Sequence, residues 1–130
     1  MTAAALYIED GRFDRTVFAT HFNAMNREDL TLDVAESVEA GLRVLRARMP
    51  DIIFLDNRVP PHEDYEESLA ELTNAGFVGP VVLITGLPTL EMQDAVDGAG
   101  PVCALLDKRG LSATRLTEVI TPLLARLPNG

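Results

Sequence analysis

Short apolar runs that close on polar residues alternate along this chain with stretches whose apolar positions recur every three or four residues. Ala3 to Ile8 closes on Glu9 and Asp10, and Leu30 to Ala35 is a weaker run with Thr31 and Asp33 alternating outward. Ile52 to Leu55 leads into Asp56, Val81 to Ile84 into Thr85, and Val102 to Leu106 into Asp107 and Lys108. Each is too short and too unbroken for a helix, so they read as buried parallel strands. Between them, Phe13, Val17, Phe22 and Met25 mark one helix, Val38, Leu42, Leu45 and Met49 a second, and Leu69 and Leu72 an acidic third. Leu90 to Val96, between Pro88 and the Gly98, Gly100 and Pro101 cluster, predicts a short and mobile fourth. Leu116, Val119, Leu123 and Leu127 mark the last, with Ser112 as N-cap and a bend near Thr121, because Pro122 costs a helix interior about 3 kcal/mol. Strand and helix in strict alternation predict an α/β fold, a doubly wound five-stranded parallel sheet with helices on both faces.

Composition narrows the classes. At 130 residues and 14.1 kDa the chain is expected to form one domain over 1–130 with a substantial core. Eleven basic against twenty acidic residues leave a formal charge of −9, which opposes nucleic-acid binding because lysine and arginine must replace counterions there. The single cysteine, Cys103, has no intrachain partner and sits in an apolar run, as a small core residue would in a reducing cytoplasm. No signal-peptide pattern and no apolar run near the roughly 20 residues of a membrane span is present, so a cytoplasmic location without a membrane anchor is expected.

In an open doubly wound sheet, ligands sit outside the carboxyl ends of the strands, near the point where strand order reverses. Those ends carry Glu9 and Asp10, Asp56, Thr85 and Lys108, while the second strand ends in the unremarkable Ala35 and Glu36. If the order is 2-1-3-4-5, the reversal lies between the first and third strands and gathers Glu9, Asp10 and Asp56 in one crevice. Clustered carboxylates repel and raise one another's pKa, so a cation must offset them, and Mg²⁺ and Lys108 would do so. Mg²⁺ takes hard oxygen ligands, commonly one or two carboxylates with a phosphoryl oxygen, and a carboxylate is an established nucleophile for phosphoryl groups. Singly, each of these residues has an ordinary role as helix cap, strand threonine or solvated lysine. Together, at the ends of neighbouring strands, they make Asp56 the candidate phosphoryl acceptor.

These residues resemble the receiver domain of two-component response regulators over the span from Ala3 to about Leu127. The resemblance is carried by the pair Glu9-Asp10, the segment Asp56-Asn57-Arg58-Val59-Pro60, Thr85-Gly86 and Lys108. It implies the flavodoxin-like strand order 2-1-3-4-5 and a free-standing, single-domain bacterial regulator. Asp56 would take a phosphoryl group from a histidine kinase or a histidine phosphotransfer protein. Asp10, Asp56 and the backbone carbonyl of Arg58 would bind Mg²⁺, with Glu9 acting through a metal-bound water. Thr85 would move towards the phosphoryl group, Gly86 would leave room for it and Lys108 would pair with it. Phosphorylation would then shift a population between conformers that differ in affinity for a downstream protein, as shuttle, sink or effector, with no separate substrate turnover.

Three departures bear on switching. Leu105 stands where many receivers have a tyrosine or phenylalanine, Arg109 follows Lys108 where proline is common, and Pro122 interrupts the last helix. Arg58 and Leu87 occupy places that tune phosphoryl lifetime in the family. A degenerate receiver, acting as an unphosphorylated interaction module, is the alternative. A haloacid-dehalogenase phosphatase needs an aspartate where Arg58 stands, and a flavodoxin-like cofactor site would meet repulsion from Glu9, Asp10 and Asp14. His21 and His62 read as surface or helix residues.

Overall fold

The computed structural model describes residues 2–127. The predicted alternation is realised as β1 (Ala3–Ile8), α1 (Arg12–Ala24), β2 (Leu30–Ala35), α2 (Val38–Ala47), β3 (Ile52–Asp56), α3 (Tyr65–Asn74), β4 (Val81–Thr85), α4 (Leu90–Asp97), β5 (Val102–Asp107) and α5 (Ala113–Ala125). The strands pair in parallel in the order β2-β1-β3-β4-β5. Successive side chains of a strand point to opposite faces. Tyr7, Ile52, Phe54, Val82 and Ile84 therefore pack on one side with Phe18 and Phe22 of α1 and with Leu116 and Ile120 of α5. Leu6, Ile8, Ile53, Leu55 and Leu83 pack on the other with Val38, Leu45, Leu72 and Met92 of α2, α3 and α4. Two covered faces are why β1, β3 and β4 are apolar almost throughout, whereas the edge strand β2 leaves Thr31 and Asp33 exposed.

Helix α1 keeps Phe22 and Met25 of the predicted stripe against the core, but Phe18 rather than Phe13 begins it. Phe18 and Phe22 are buried, whereas Phe13 is 72% exposed. Five residues separate Phe13 from Phe18, roughly 140° around the helix, and the ring that meets the core is Phe18, 4.1 Å from Tyr7 and 5.1 Å from Phe54 between centroids. Met49 also lies outside its predicted helix. The chain is already extended at Arg48, and Pro50 disfavours helix at the residue before it. Gly41 takes a buried place on α2, because a Cβ there would come 2.8 Å from Ile8 Cδ1. The absent side chain lets α2 lie close to β1.

Caps absent from the apolar pattern start the remaining helices. Thr89 accepts from Met92 N at the head of α4, and Asp64 accepts from Glu66 N and Glu67 N at the head of α3. Ser112 caps α5 as expected, accepting from Arg115 N, and the helix continues through the exposed Pro122 to Ala125. Cys103 occupies a bulge: Val81 pairs with Val102 but Val82 with Ala104, leaving Cys103 half-buried between them. No helix among the described residues is long and apolar enough to cross a membrane.

Candidate functional site

Parallel pairing brings the carboxyl ends of β1, β3, β4 and β5 to one edge of the sheet, with β1 beside β3. Asp56 and Thr85 are the last residues of their strands and are buried, at 6% and 5% exposure. Glu9 follows β1 and is 2% exposed, while Asp10 next to it is exposed. Carboxylate oxygens of Glu9, Asp10 and Asp56 all lie within 4.8 Å of one another. The reversal of strand order gathers these acids as the sequence predicted.

Lys108 opens a 3₁₀ turn, Lys108–Gly110, immediately after β5. Its Nζ lies 2.6 Å from Glu9 Oε1, 2.8 Å from Asp14 Oδ2 and 2.8 Å from Asp56 Oδ1. Burial pushes the Glu9 and Asp56 carboxyls above the ordinary range; Lys108 opposes this for both, and the charge of Asp10 adds to it at Asp56. One ammonium shared among three carboxylates does not fully offset the burial of two of them. Burial by itself would lower the lysine's pKa, but pairing with Asp14, Asp56 and Glu9 outweighs it and holds Lys108 above the usual lysine range. The hard oxygen donors and their residual negative charge fit Mg²⁺.

Local backbone contacts set the remaining pieces. Arg58 N donates to Asp56 Oδ2 at 3.2 Å and folds the loop after β3 back onto the Asp56 carboxylate. Thr85 Oγ1 accepts from Leu87 N at 3.1 Å, an ST turn that leaves its own proton free to donate. A Cβ on Gly86 would meet nothing within 4 Å, so the space beside Thr85 is open. Arg109 turns back on Asp107, with Nη2 to Oδ2 at 2.7 Å and Nε to Oδ1 at 3.0 Å. The Lys108–Arg109 bond is trans, and the cis bond among the described residues is Pro60–Pro61. Leu105 is half-buried against the core on the α2, α3 and α4 side.

Three contributors were not singled out from sequence. Tyr7 OH donates to Glu9 Oε1 at 3.1 Å, and burial followed by the Glu9 charge pushes its pKa far up, so it stays a neutral donor. Its position two before Glu9 puts both side chains on one face of β1, and that spacing was the available signal. Asp14 is the second. Arg15 is the third: its Nη1 donates to the carbonyls of Glu9 at 2.9 Å and Asp10 at 2.8 Å and fixes the acidic loop. His62 pairs instead with Glu67 and Glu71 beside α3.

No protein-family model matches the chain, and no curated protein matches it at a significant level. Solved structures do. The response regulator domain of Thermotoga maritima CheB superposes with a TM-score of 0.77 at 17% identity, covering 98% of this chain and 100% of that one. The signal receiver domain of an HD domain-containing protein from Pseudomonas fluorescens gives 0.79 at 18%, covering 96% of each chain. The receiver domain of a Francisella response regulator gives 0.75 at 18%, covering 96% and 98%. With the strand order β2-β1-β3-β4-β5 and this acidic edge, the chain has the receiver-domain fold of response regulators.

Proposed function

We propose that this protein is a response-regulator receiver that accepts a phosphoryl group on Asp56 from a histidine kinase or a histidine phosphotransfer protein. The observation that carries this reading is the acceptor's setting: a buried carboxylate ending the central strand, 2.8 Å from the Lys108 ammonium and within 4.8 Å of the Glu9 and Asp10 oxygens. In the transfer, a carboxylate oxygen of Asp56 forms a bond to the donor's phosphorus. The bond from phosphorus to the donor's imidazole nitrogen breaks, and its electron pair returns to the ring. Asp10, Asp56 and the backbone carbonyl of Arg58 would hold Mg²⁺, with Glu9 acting through water because its carboxylate already serves Tyr7, Gly11 and Lys108. When bound, the metal supplies charge neutralisation for the phosphoryl oxygens. Lys108 and the free Thr85 hydroxyl proton complete the cradle, and Gly86 leaves space for it.

The acyl phosphate then shifts the population towards a conformer with a different affinity for a partner protein. Because Leu105 offers no aromatic ring to reorient, Thr85 and Lys108 carry the change of state. The test is intact-protein mass after incubation with acetyl phosphate, with and without Mg²⁺, beside Asp56→Asn. A Mg²⁺-dependent gain of one phosphoryl group, absent from the variant, is expected. Uptake by Asp56→Asn would refute the acceptor; no uptake by a parent that still binds Mg²⁺ would mean a donor-specific receiver, and neither uptake nor Mg²⁺ binding would leave an interaction module with this fold.

A further inference from the structure

A lysine ammonium has three N–H donors. In this protein Lys108 Nζ donates to Glu9 at 2.6 Å and to Asp14 at 2.8 Å, and its charge lies 2.8 Å from Asp56 Oδ1 as an ion pair. The three acids are not equivalent. Glu9 is buried and fixed by Tyr7 OH and Gly11 N, and Asp56 is the acceptor, whose carboxylate charge is lost to the phosphoryl oxygens once an acyl phosphate forms. Asp14 lies in the first turn of α1 with its side chain 43% exposed.

An aspartate in a first helical turn is ordinarily explained by the helix dipole. Here the side chain does more than sit there. Among the described residues no backbone N–H of its own helix donates to Asp14, and its hydrogen-bonded partner is Lys108, 94 residues away. We infer that Asp14 is a positioning residue for phosphoryl transfer: with Glu9 it holds the Lys108 ammonium so that its charge stays beside Asp56, 2.8 Å away, and beside the phosphoryl group arriving there. The role rests on Asp56 being the acceptor. Two hydrogen-bonded anchors fix the ammonium beside Asp56, whereas Glu9 alone leaves a flexible four-carbon side chain free to swing about one contact.

The test measures phosphorylation by acetyl phosphate in Mg²⁺ as a function of donor concentration for the parent, Asp14→Asn and Asp14→Glu. Asp14→Asn is expected to lower the saturated rate about three- to tenfold, the scale of one partly exposed charge-assisted hydrogen bond. Asp14→Glu, which keeps the carboxylate, should recover most of it. Loss of a negative charge by itself favours capture of an anionic donor, so a lower half-saturating concentration with an unchanged saturated rate would overturn the positioning role. In a parallel NMR measurement without donor, the Lys108 ammonium protons should exchange with water faster in Asp14→Asn, and unchanged exchange would overturn the contact itself. If the parent neither takes up a phosphoryl group nor binds Mg²⁺, the acceptor reading falls and this role with it. If the parent reacts and Asp14→Asn matches it, this role alone falls.

Discussion

Replacing Lys108 with methionine keeps most of the side-chain volume and removes the one charge that Glu9, Asp14 and Asp56 share. At separations of 2.6–2.8 Å and an effective dielectric constant of about 20, each contact carries roughly 6 kcal/mol of gross attraction. Most of that offsets the desolvation of the partners. What the substitution exposes is the remainder, two buried carboxylates left without their cation, and breaking one side of a buried pair costs about 3–5 kcal/mol. Asp14, 43% exposed, adds little. We expect Lys108→Met to lose about 3–5 kcal/mol at pH 7 in chelator, measured by urea unfolding followed by circular dichroism. The pH dependence has a definite sign. Glu9 and Asp56 already have raised pKa values, so the folded state holds more protons than the unfolded one and these groups lower stability as pH rises above their ordinary values of 4.5 and 3.8. Without Lys108 their pKa values climb further, so the variant loses stability with rising pH more steeply than the parent. Added Mg²⁺ should restore more stability to the variant than to the parent. A loss below about 1 kcal/mol, with no steeper pH slope, would show that the acids do not depend on Lys108 and would refute this electrostatic account.

Asp10→Ala should weaken Mg²⁺ binding at least about tenfold by calorimetric titration while changing stability by less than about 0.5 kcal/mol, because the residue is exposed; an unchanged affinity would remove Asp10 from the ligand set. Tyr7→Phe keeps the ring against Phe18 and deletes the hydroxyl bond to Glu9, so a loss of about 1–2 kcal/mol is expected in urea unfolding, and no loss would show that Glu9 does not use it. His62 has a pKa raised above 6.5, first by pairing with Glu71 and then with Glu67, so its stabilisation is fully present below 6.5 and fades as pH rises through the folded-state value. The stability gap between the parent and His62→Gln should therefore be larger at pH 5.5 than at pH 9. A gap that does not change with pH would exclude a protonated bridge.

Asp56 and its acidic neighbours were legible because strand ends are legible. Apolar runs such as Ile52 to Leu55 and Val81 to Ile84 are bounded by the first polar residue, and parallel strands place those residues on one edge whatever the details of packing. Tyr7 was hidden inside such a run: as a core aromatic it needs no partner for its ring, and only its hydroxyl, aimed at Glu9, reveals a second role. The stripe of α1 was legible at Phe22 and Met25 but not at its start. Phe13 and Phe18 are both apolar and both helical, and which of them is buried depends on how the helix is rolled against Tyr7 and Phe54.

By itself the sequence determined the alternation of strands and helices, the two-faced sheet and the residues at the strand ends, because hydrophobic period and helix-breaking residues act over a few positions. Tertiary structure alone decided that Gly41 makes way for Ile8, that Arg109 turns to Asp107, and that Asp14 joins Glu9 and Asp56 around Lys108. Those partners stand as much as 99 residues apart in the chain. An ion pair forms or fails over an ångström or two, and distances on that scale are set by sheet register, helix roll and side-chain reach, none of which is written in the spacing of residues along the chain.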